Sequence, residues 1–127
     1  MDVETFKTVV FSLAQKTGYD VSDIRKPEMT PNFYSCSFEN QAESFWVLAS
    51  LDDKWAMAED LGGADSLKLT FLDSAELFNA MKSLFDIDFL RVEHLDAPFE
   101  VTDENISDDV RYWKPETVGQ YLFNWWD

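Results

Sequence analysis

The 127-residue chain carries 25 Asp and Glu against 10 Lys and Arg, a formal net charge of -15 at pH 7. Nucleic-acid binding needs cationic groups that displace phosphate counterions, so this composition argues against DNA or RNA as a partner. Anionic membrane surfaces would repel the chain for the same reason. With 46% hydrophobic residues it has enough apolar material for a packed core, and its length predicts a single domain over residues 1–127.

The sequence also predicts where the protein resides. No apolar stretch approaches the roughly 20 residues that span a bilayer. The first four residues, 1–4, include two acids, whereas a signal peptide begins with basic residues and then apolar ones. Cys36 is the only cysteine, which leaves no partner for an intrachain disulfide and favours a reducing compartment. We therefore expect a soluble cytoplasmic protein.

The N-terminal third begins with a helical pattern. Apolar residues recur at three- and four-residue steps over residues 2–17, which predicts an amphipathic helix. Gly18 follows where a left-handed C-cap is expected. Residues 20–32 are polar and contain Pro27 and Pro31, so they are predicted to be a connection without regular structure.

The period then changes to two, which predicts consecutive antiparallel strands. Residues 44–51 are apolar at both even and odd positions, as in a central strand covered on both faces, and residues 52–54 suit a hairpin turn. A flexible loop is expected over residues 60–66. The predicted strands are residues 33–39, 44–51, 55–59 and 67–71.

The C-terminal half is predicted to hold two more helices. Asp73, with Glu76 three residues later, has the spacing of a capping box before an apolar stripe from Leu77 to Phe85. A further strand is possible over Phe89–Leu95. Pro115 is expected in the first turn of a helix that runs to the chain end, with Trp126 off its apolar stripe and exposed.

Together these elements predict an α+β fold. An antiparallel sheet of about four to five strands would carry an N-terminal, a middle and a C-terminal helix packed on it.

No motif in the sequence predicts catalysis or a cofactor. His94 is the sole histidine, so a typical zinc site cannot be assembled, and nothing around Cys36 resembles an activated nucleophile. Gly62-Gly63 lacks the further glycines and the Lys-Ser/Thr ending of a phosphate-binding loop. Carboxylate pairs assembled in space leave no local signature, so a small carboxylate-dependent hydrolase or a metal-dependent enzyme stays open as an alternative.

Charge is concentrated in one stretch. Residues 86–109 hold nine acids and one base, Arg91, a net charge of -8 in 24 residues. Carboxylates grouped on one edge, beside aromatic anchors, would suit a basic protein partner, and association would weaken as salt rises. Solvated surface acids are the alternative interpretation. The residues predicted to bind the partner are Asp96, Glu100, Asp103, Glu104, Asp108, Asp109, Tyr112 and Trp113.

The last 16 residues, 112–127, resemble the ending of a known class of small bacterial proteins. Their Trp-Lys-Pro…Gly…Leu-Phe-Asn-x-Trp-Asp pattern is similar to that of immunity proteins from polymorphic and contact-dependent toxin systems. Its residues have structural roles, with Pro115 starting a helix and Gly119 allowing close packing, so the resemblance implies a shared fold. No binding residue of the family can be carried over.

Size, charge and this resemblance predict a non-enzymatic inhibitor that neutralises a basic toxin by occlusion. Its carboxylates would lie where the phosphates of a nuclease substrate would otherwise bind. A second alternative, besides the enzyme, is a subunit or adaptor of a larger complex that docks through its aromatic-rich terminus.

Overall fold

A computed structural model describes residues 1–28, 30–62 and 69–125. It has an α+β fold, as predicted, with a five-stranded antiparallel sheet and five helices. In chain order the elements are α1 (Val3–Thr17), β1 (Asp20–Arg25), β2 (Phe33–Glu39), β3 (Ser44–Ser50), β4 (Trp55–Asp60), β5 (Thr70–Leu72), α2 (Ala75–Phe85), α3 (Val92–Leu95), α4 (Asp108–Trp113) and α5 (Val118–Leu122).

The sheet is a meander in which spatial order follows sequence order, β1-β2-β3-β4-β5. Each strand therefore needs only a short connection to its neighbour. β3 lies at the centre and pairs with β2 and β4, so that Val47 stands opposite both Cys36 and Met57. These three side chains point to one face of the sheet because residues directly opposite each other on paired strands share a face.

Both faces of the sheet are covered, as the doubly apolar pattern of β3 predicts. On the first face, Val47 and its neighbours form a core with buried residues of α1 and α2, such as Phe6 and Leu77. On the second face, Leu48 belongs to a separate core that includes Leu95 of α3 and Phe123 after α5. The C-terminal segment thus provides the layer opposite the two long helices.

The predicted first helix is confirmed together with its caps. The Thr5 N–H donates to the Asp2 carboxylate at 2.8 Å, and this hydrogen bond lowers the pKa of Asp2. At the other end Gly18 adopts φ of 82° and its N–H donates to the Ala14 carbonyl oxygen. Only glycine enters this left-handed region without a steric cost, which explains why the helix ends here.

The prediction of an irregular connection over residues 20–32 is wrong for its first half. Residues Asp20–Arg25 form the edge strand β1, which pairs with β2 from Asp20↔Glu39 onward. Its side chains are mostly exposed, so it lacks the apolar alternation that identifies a strand in sequence. Asp23 has φ of 54°, and the register shifts between Ser22 and Arg25, an irregularity typical of edge strands.

The predicted capping box at Asp73 is also wrong by one residue. Ser74 is the N-cap of α2, and its hydroxyl oxygen accepts a hydrogen bond from the Leu77 N–H. Asp73 instead accepts from the Val92 N–H at 2.9 Å, across 19 residues of sequence. Asp73, which the local spacing predicts to be the N-cap of the helix, is thus engaged in a long-range hydrogen bond.

Two further expectations for the C-terminal half are wrong. Residues 89–95 do not form a strand, since Phe89 makes only an isolated parallel bridge with Trp55 and Val92–Leu95 form helix α3. The last helix does not start at Pro115. It begins after Thr117, whose hydroxyl accepts from the Gln120 N–H, and it ends at Leu122 rather than at the chain end.

Some expectations concern residues outside the described ranges. The fourth predicted strand is confirmed for Thr70–Leu72, whereas its expected start at Leu67 lies outside them. The same holds for Gly63 of the glycine pair and for Trp126.

Gly119 confirms the close-packing role predicted for it. A Cβ atom placed at this position would lie 2.4 Å from Cε2 of Phe71 and 3.1 Å from the carbonyl oxygen of Leu95. Both distances are shorter than ordinary van der Waals contacts. The absence of a side chain therefore allows α5 to approach the sheet and α3 together.

Replacing Gly119 with alanine is expected to lower the free energy of unfolding by about 1–3 kcal/mol, because the added methyl group overpacks the second core. Urea unfolding followed by tryptophan fluorescence measures this loss. In the double variant Gly119→Ala/Phe71→Leu, the smaller side chain at position 71 should make room for the added methyl group. The loss in the free energy of unfolding should then be smaller than the sum of the losses in the two single variants. If the loss in the double variant equals the sum of the losses in the two single variants, the contact between residues 119 and 71 is contradicted.

A buried phenol links the start of the sheet to the β2–β3 hairpin. The Tyr19 hydroxyl donates a hydrogen bond to the Glu43 carboxylate, and the Tyr19 ring packs against Phe38 and Phe45. The hydrogen bond to Glu43, together with burial, raises the pKa of Tyr19 to about 12. The charged phenolate is disfavoured because it would be desolvated beside a carboxylate.

This shift predicts a loss of stability at alkaline pH. The folded protein holds the Tyr19 proton up to about pH 12, whereas the unfolded chain releases it near the ordinary value of 10.0. The stabilisation is fully present below pH 10 and is lost as pH rises toward 12. Urea unfolding across this interval should show a steeper decline for the native protein than for Tyr19→Phe, and equal declines would contradict the assignment.

Candidate partner-binding surface

The C-terminal segment is pinned to the sheet by side-chain hydrogen bonds. The Asn124 N–H donates to Oδ1 of Asn32 at 2.8 Å, and the Asn32 N–H donates to the Asn124 carbonyl oxygen at 3.0 Å. The Trp125 indole N–H donates to the Leu61 carbonyl oxygen at 2.7 Å. Phe33 at the start of β2 contacts the Trp125 ring edge to face. These contacts fix the end of the segment on the second face of the sheet.

A second set of contacts closes the base of a loop. The Phe99 N–H donates to the Glu116 carbonyl oxygen at 2.9 Å, and the Val118 N–H donates to the Ala97 carbonyl oxygen at 3.0 Å. The antiparallel bridge between Pro98 and Thr117 lies between them. Residues 100–115 therefore leave and re-enter the structure at one place, and we refer to them as the acidic loop.

The acidic loop has internal order of its own. Oδ1 of Asn105 accepts from the Thr102 N–H at 2.8 Å, and its Nδ2 donates to the Glu100 carbonyl oxygen at 2.9 Å. Ser107 caps α4 by accepting from the Val110 N–H, and Lys114 ends α4 in a left-handed conformation with φ of 50°. These hydrogen bonds all join residues within the loop, so they order it locally.

The surface of the acidic loop is both charged and apolar. It contains five acids and two bases, and all five carboxylates are exposed. Three large apolar side chains are exposed as well: Val101 (55%), Ile106 (39%) and Tyr112 (77%). Val110 is buried, yet it belongs to neither core cluster of the described residues. The loop thus presents apolar side chains outward while contributing little to the packed interior.

Seven of the eight predicted partner-binding residues lie in the acidic loop. Of these, Asp108 lies 3.8 Å from Arg111, and the Trp113 ring meets that of Tyr112 edge to face at 5.1 Å. Asp96 is the exception, because it caps the C-terminus of α3 before the loop begins. The seven in the loop are Glu100, Asp103, Glu104, Asp108, Asp109, Tyr112 and Trp113.

The acidic stretch seen in the sequence divides into parts with different roles. Asp86 and Asp88 both pair with Lys82 of α2, at 2.9 and 3.5 Å. The hydrogen bond from Lys82 lowers the pKa of Asp86, and the same pair raises the pKa of Lys82. These acids support the end of α2. Five of the nine acids of this stretch lie farther along, in the acidic loop.

A groove of about 450 Å³ lies at the base of the acidic loop. Lys54 of the β3–β4 turn, His94 of α3 and Glu100 are exposed residues that line it, and Asn105 of the loop lines it too. Its apolar lining residues are Leu90, Phe99, Val118, Tyr121 and Leu122. Sequence reasoning missed this groove because its lining comes from four separate parts of the chain. Val101 and Ile106 were missed too, although apolar residues in a charged, aperiodic stretch are a usable signal.

The remaining candidates for chemistry are metal ligands, grouped carboxylates and the single cysteine. Among the described residues, no three His, Cys, Asp or Glu side chains gather closely enough to hold a metal ion. Glu43, Glu59 and Asp73 line one shallow cleft. Cys36 is fully buried, and this burial raises the pKa of its thiol to about 12, so the reactive thiolate is disfavoured. In the described part of the chain, every helix is too short or too polar to traverse a bilayer.

Comparison with protein-family models, with curated proteins and with solved structures gave no match to the chain. Its function must therefore be inferred from its own geometry and charge.

Asn105 is expected to maintain the conformation of the acidic loop and to contribute little to the stability of the whole fold. In Asn105→Ala, amide hydrogen exchange of residues 100–106 should accelerate, while the free energy of unfolding falls by only about 1 kcal/mol. Asn105→Asp is the matched control, because it keeps the acceptor for the Thr102 N–H. Acceleration throughout the sheet in Asn105→Ala would contradict this local role.

Proposed function

We propose that the protein is a non-enzymatic binding protein, an immunity-type inhibitor that neutralises a basic toxin partner in the cytoplasm. The observation that carries this proposal is the acidic loop. It is closed at its base by paired backbone hydrogen bonds, and it exposes five carboxylates beside Val101, Ile106 and Tyr112. A surface of this kind has little use in folding, and its cost in exposed apolar area is recovered when a partner covers it.

The carboxylates and the apolar side chains of the acidic loop would contribute to different steps of binding. The carboxylates attract a cationic surface from a distance, which raises the association rate and makes it sensitive to salt. Exposed ion pairs contribute little to affinity once formed, about 0–1 kcal/mol each. Tyr112 and its apolar neighbours would lower the dissociation rate once the partner buries them, as aromatic anchors do in other interfaces.

Inhibition would follow from occlusion. A nuclease binds substrate phosphates with lysine and arginine side chains, which a carboxylate surface can engage instead. The C-terminal resemblance to immunity proteins supports the same proposal. Gly119, Phe123 and Trp125 of that segment pack against the sheet or Leu61, so the resemblance bears on fold rather than on binding.

The two alternatives remain predictions. A hydrolase would need carboxylates with raised pKa values, whereas hydrogen bonds lower the pKa of Asp2 and that of Asp86. An adaptor that docks through its terminus could not use Phe123 or Asn124, because both are buried.

The proposal is tested with the product of the adjacent upstream gene, co-expressed and then separated for kinetic measurement. In Asp103→Asn/Glu104→Gln/Asp109→Asn, the association rate should fall at least about threefold and depend less on salt, because three exposed charges are removed from the interface. The matched control is Asp20→Asn/Glu28→Gln/Glu39→Gln, which removes three exposed acids outside the acidic loop. Equal effects in both triple variants would mean that net charge matters and the loop does not. Absence of any complex with the native protein would remove the basis of the proposal.

A further inference from the structure

We infer that the groove at the base of the acidic loop receives one aromatic side chain of a basic protein, next to a lysine or arginine of that protein. This inference rests on the proposed function and specifies what part of the partner is recognised. A partner that covers Glu100 and Asn105 of the loop would also contact the groove, because both residues line it.

The walls of the groove are suited to an aromatic ring. Leu90, Phe99, Val118, Tyr121 and Leu122 are all half-buried, so each keeps apolar surface that a ligand can cover. The rings of Phe99 and Tyr121 stack on each other at 4.5 Å with an angle of 20° between their planes. Both residues line the groove, where a further ring can pack on them in an offset-stacked or edge-to-face arrangement. A volume of about 450 Å³ is within the range of sites that hold small organic groups.

The charged groups at the groove specify where the partner's cation lies. Lys54 and His94 line the groove, so a cation inserted among them would meet Lys54 as a like charge. Glu100 supplies the carboxylate at the loop side, where the remaining acids of the loop follow in sequence. The complementary arrangement is a neutral ring in the groove and a cationic group beside it, facing Glu100.

The loop side of the groove is held in place before any partner binds. Both polar atoms of the Asn105 side chain are used, one accepting from the Thr102 N–H and the other donating to the Glu100 carbonyl oxygen. The backbone of Glu100 is therefore held by Asn105, and the backbone of Phe99 beside it is held by Glu116. Such preorganisation reduces the ordering cost that otherwise weakens binding.

Three compounds that share a phenylethyl group and end in a cationic, a neutral or an anionic group test this inference: 2-phenylethylamine, 2-phenylethanol and 3-phenylpropanoate. Amide shifts of the full chain in NMR titrations should localise to residues around Leu90, Phe99 and Tyr121 for the amine and the alcohol. The amine should bind about two- to fivefold more tightly than the alcohol because of Glu100, and the anion most weakly. Shifts that are absent for all three, or a preference for the anion, would overturn the inference.

Surface variants separate the groove from nonspecific contacts. His94→Trp places an indole at an exposed lining position and should abolish the localised shifts, whereas Gln15→Trp adds an exposed indole on α1 and should leave them unchanged. Glu100→Gln should bring the amine and the alcohol to equal affinity. Unchanged binding in His94→Trp, or an amine preference that survives Glu100→Gln, would place the ligands elsewhere and overturn the inference.

The experiments distinguish a failure of the groove inference from a failure of the inhibitor proposal. If the loop triple variant slows association with the toxin but the phenyl compounds do not bind, the inhibitor proposal stands and the groove inference falls. If the compounds bind the groove as described but no toxin complex forms, the groove is a binding site and the inhibitor proposal falls.

Discussion

The central strand β3 must be covered on both of its faces, and most of the architecture follows from this requirement. Val47 and Leu48 are adjacent in sequence, fully buried, and belong to different cores. Helices α1 and α2 cover one face. The other face is covered only when the chain returns over the sheet after α2, which brings Leu95 and Phe123 onto it. Burial of each large side chain contributes roughly 1.5–3 kcal/mol, so the returning segment is strongly held.

Hydrogen bonds hold the returning segment at its C-terminal end and at the base of the acidic loop. The acidic loop is the part between α3 and α5 that these contacts leave outside the cores. Asn32 and Trp125 fix the end, while Phe99 and Glu116 close the base. Five of the 25 acids of the chain thereby lie on a segment that the two cores do not need.

Sequence alone was sufficient for elements whose burial is periodic. The first helix, the paired strands and the double covering of β3 all follow from alternation of apolar residues. It was insufficient where an element is held by distant partners. β1 is a polar edge strand, Asp73 is engaged by Val92, and residues 89–95 are shaped by contacts with Trp55 and the second core. For the candidate site, charge was visible in the sequence, whereas the groove joins Lys54 to Glu100 only in the folded chain.

The claim that the fold carries the acidic loop, and does not depend on it, has a direct test. Phe99 and Glu116 lie next to the antiparallel bridge between Pro98 and Thr117 and are joined by a backbone hydrogen bond, so a two-residue Asn-Gly turn can replace residues 100–115. Shortening the connection from 16 residues to two lowers its closure cost by about 2 kcal/mol, which offsets the loss of buried Val110. Urea unfolding of this variant should show one cooperative transition with a free energy within about 2 kcal/mol of that of the native chain. Loss of the cooperative transition would contradict the account, because it would make the loop part of the folding core.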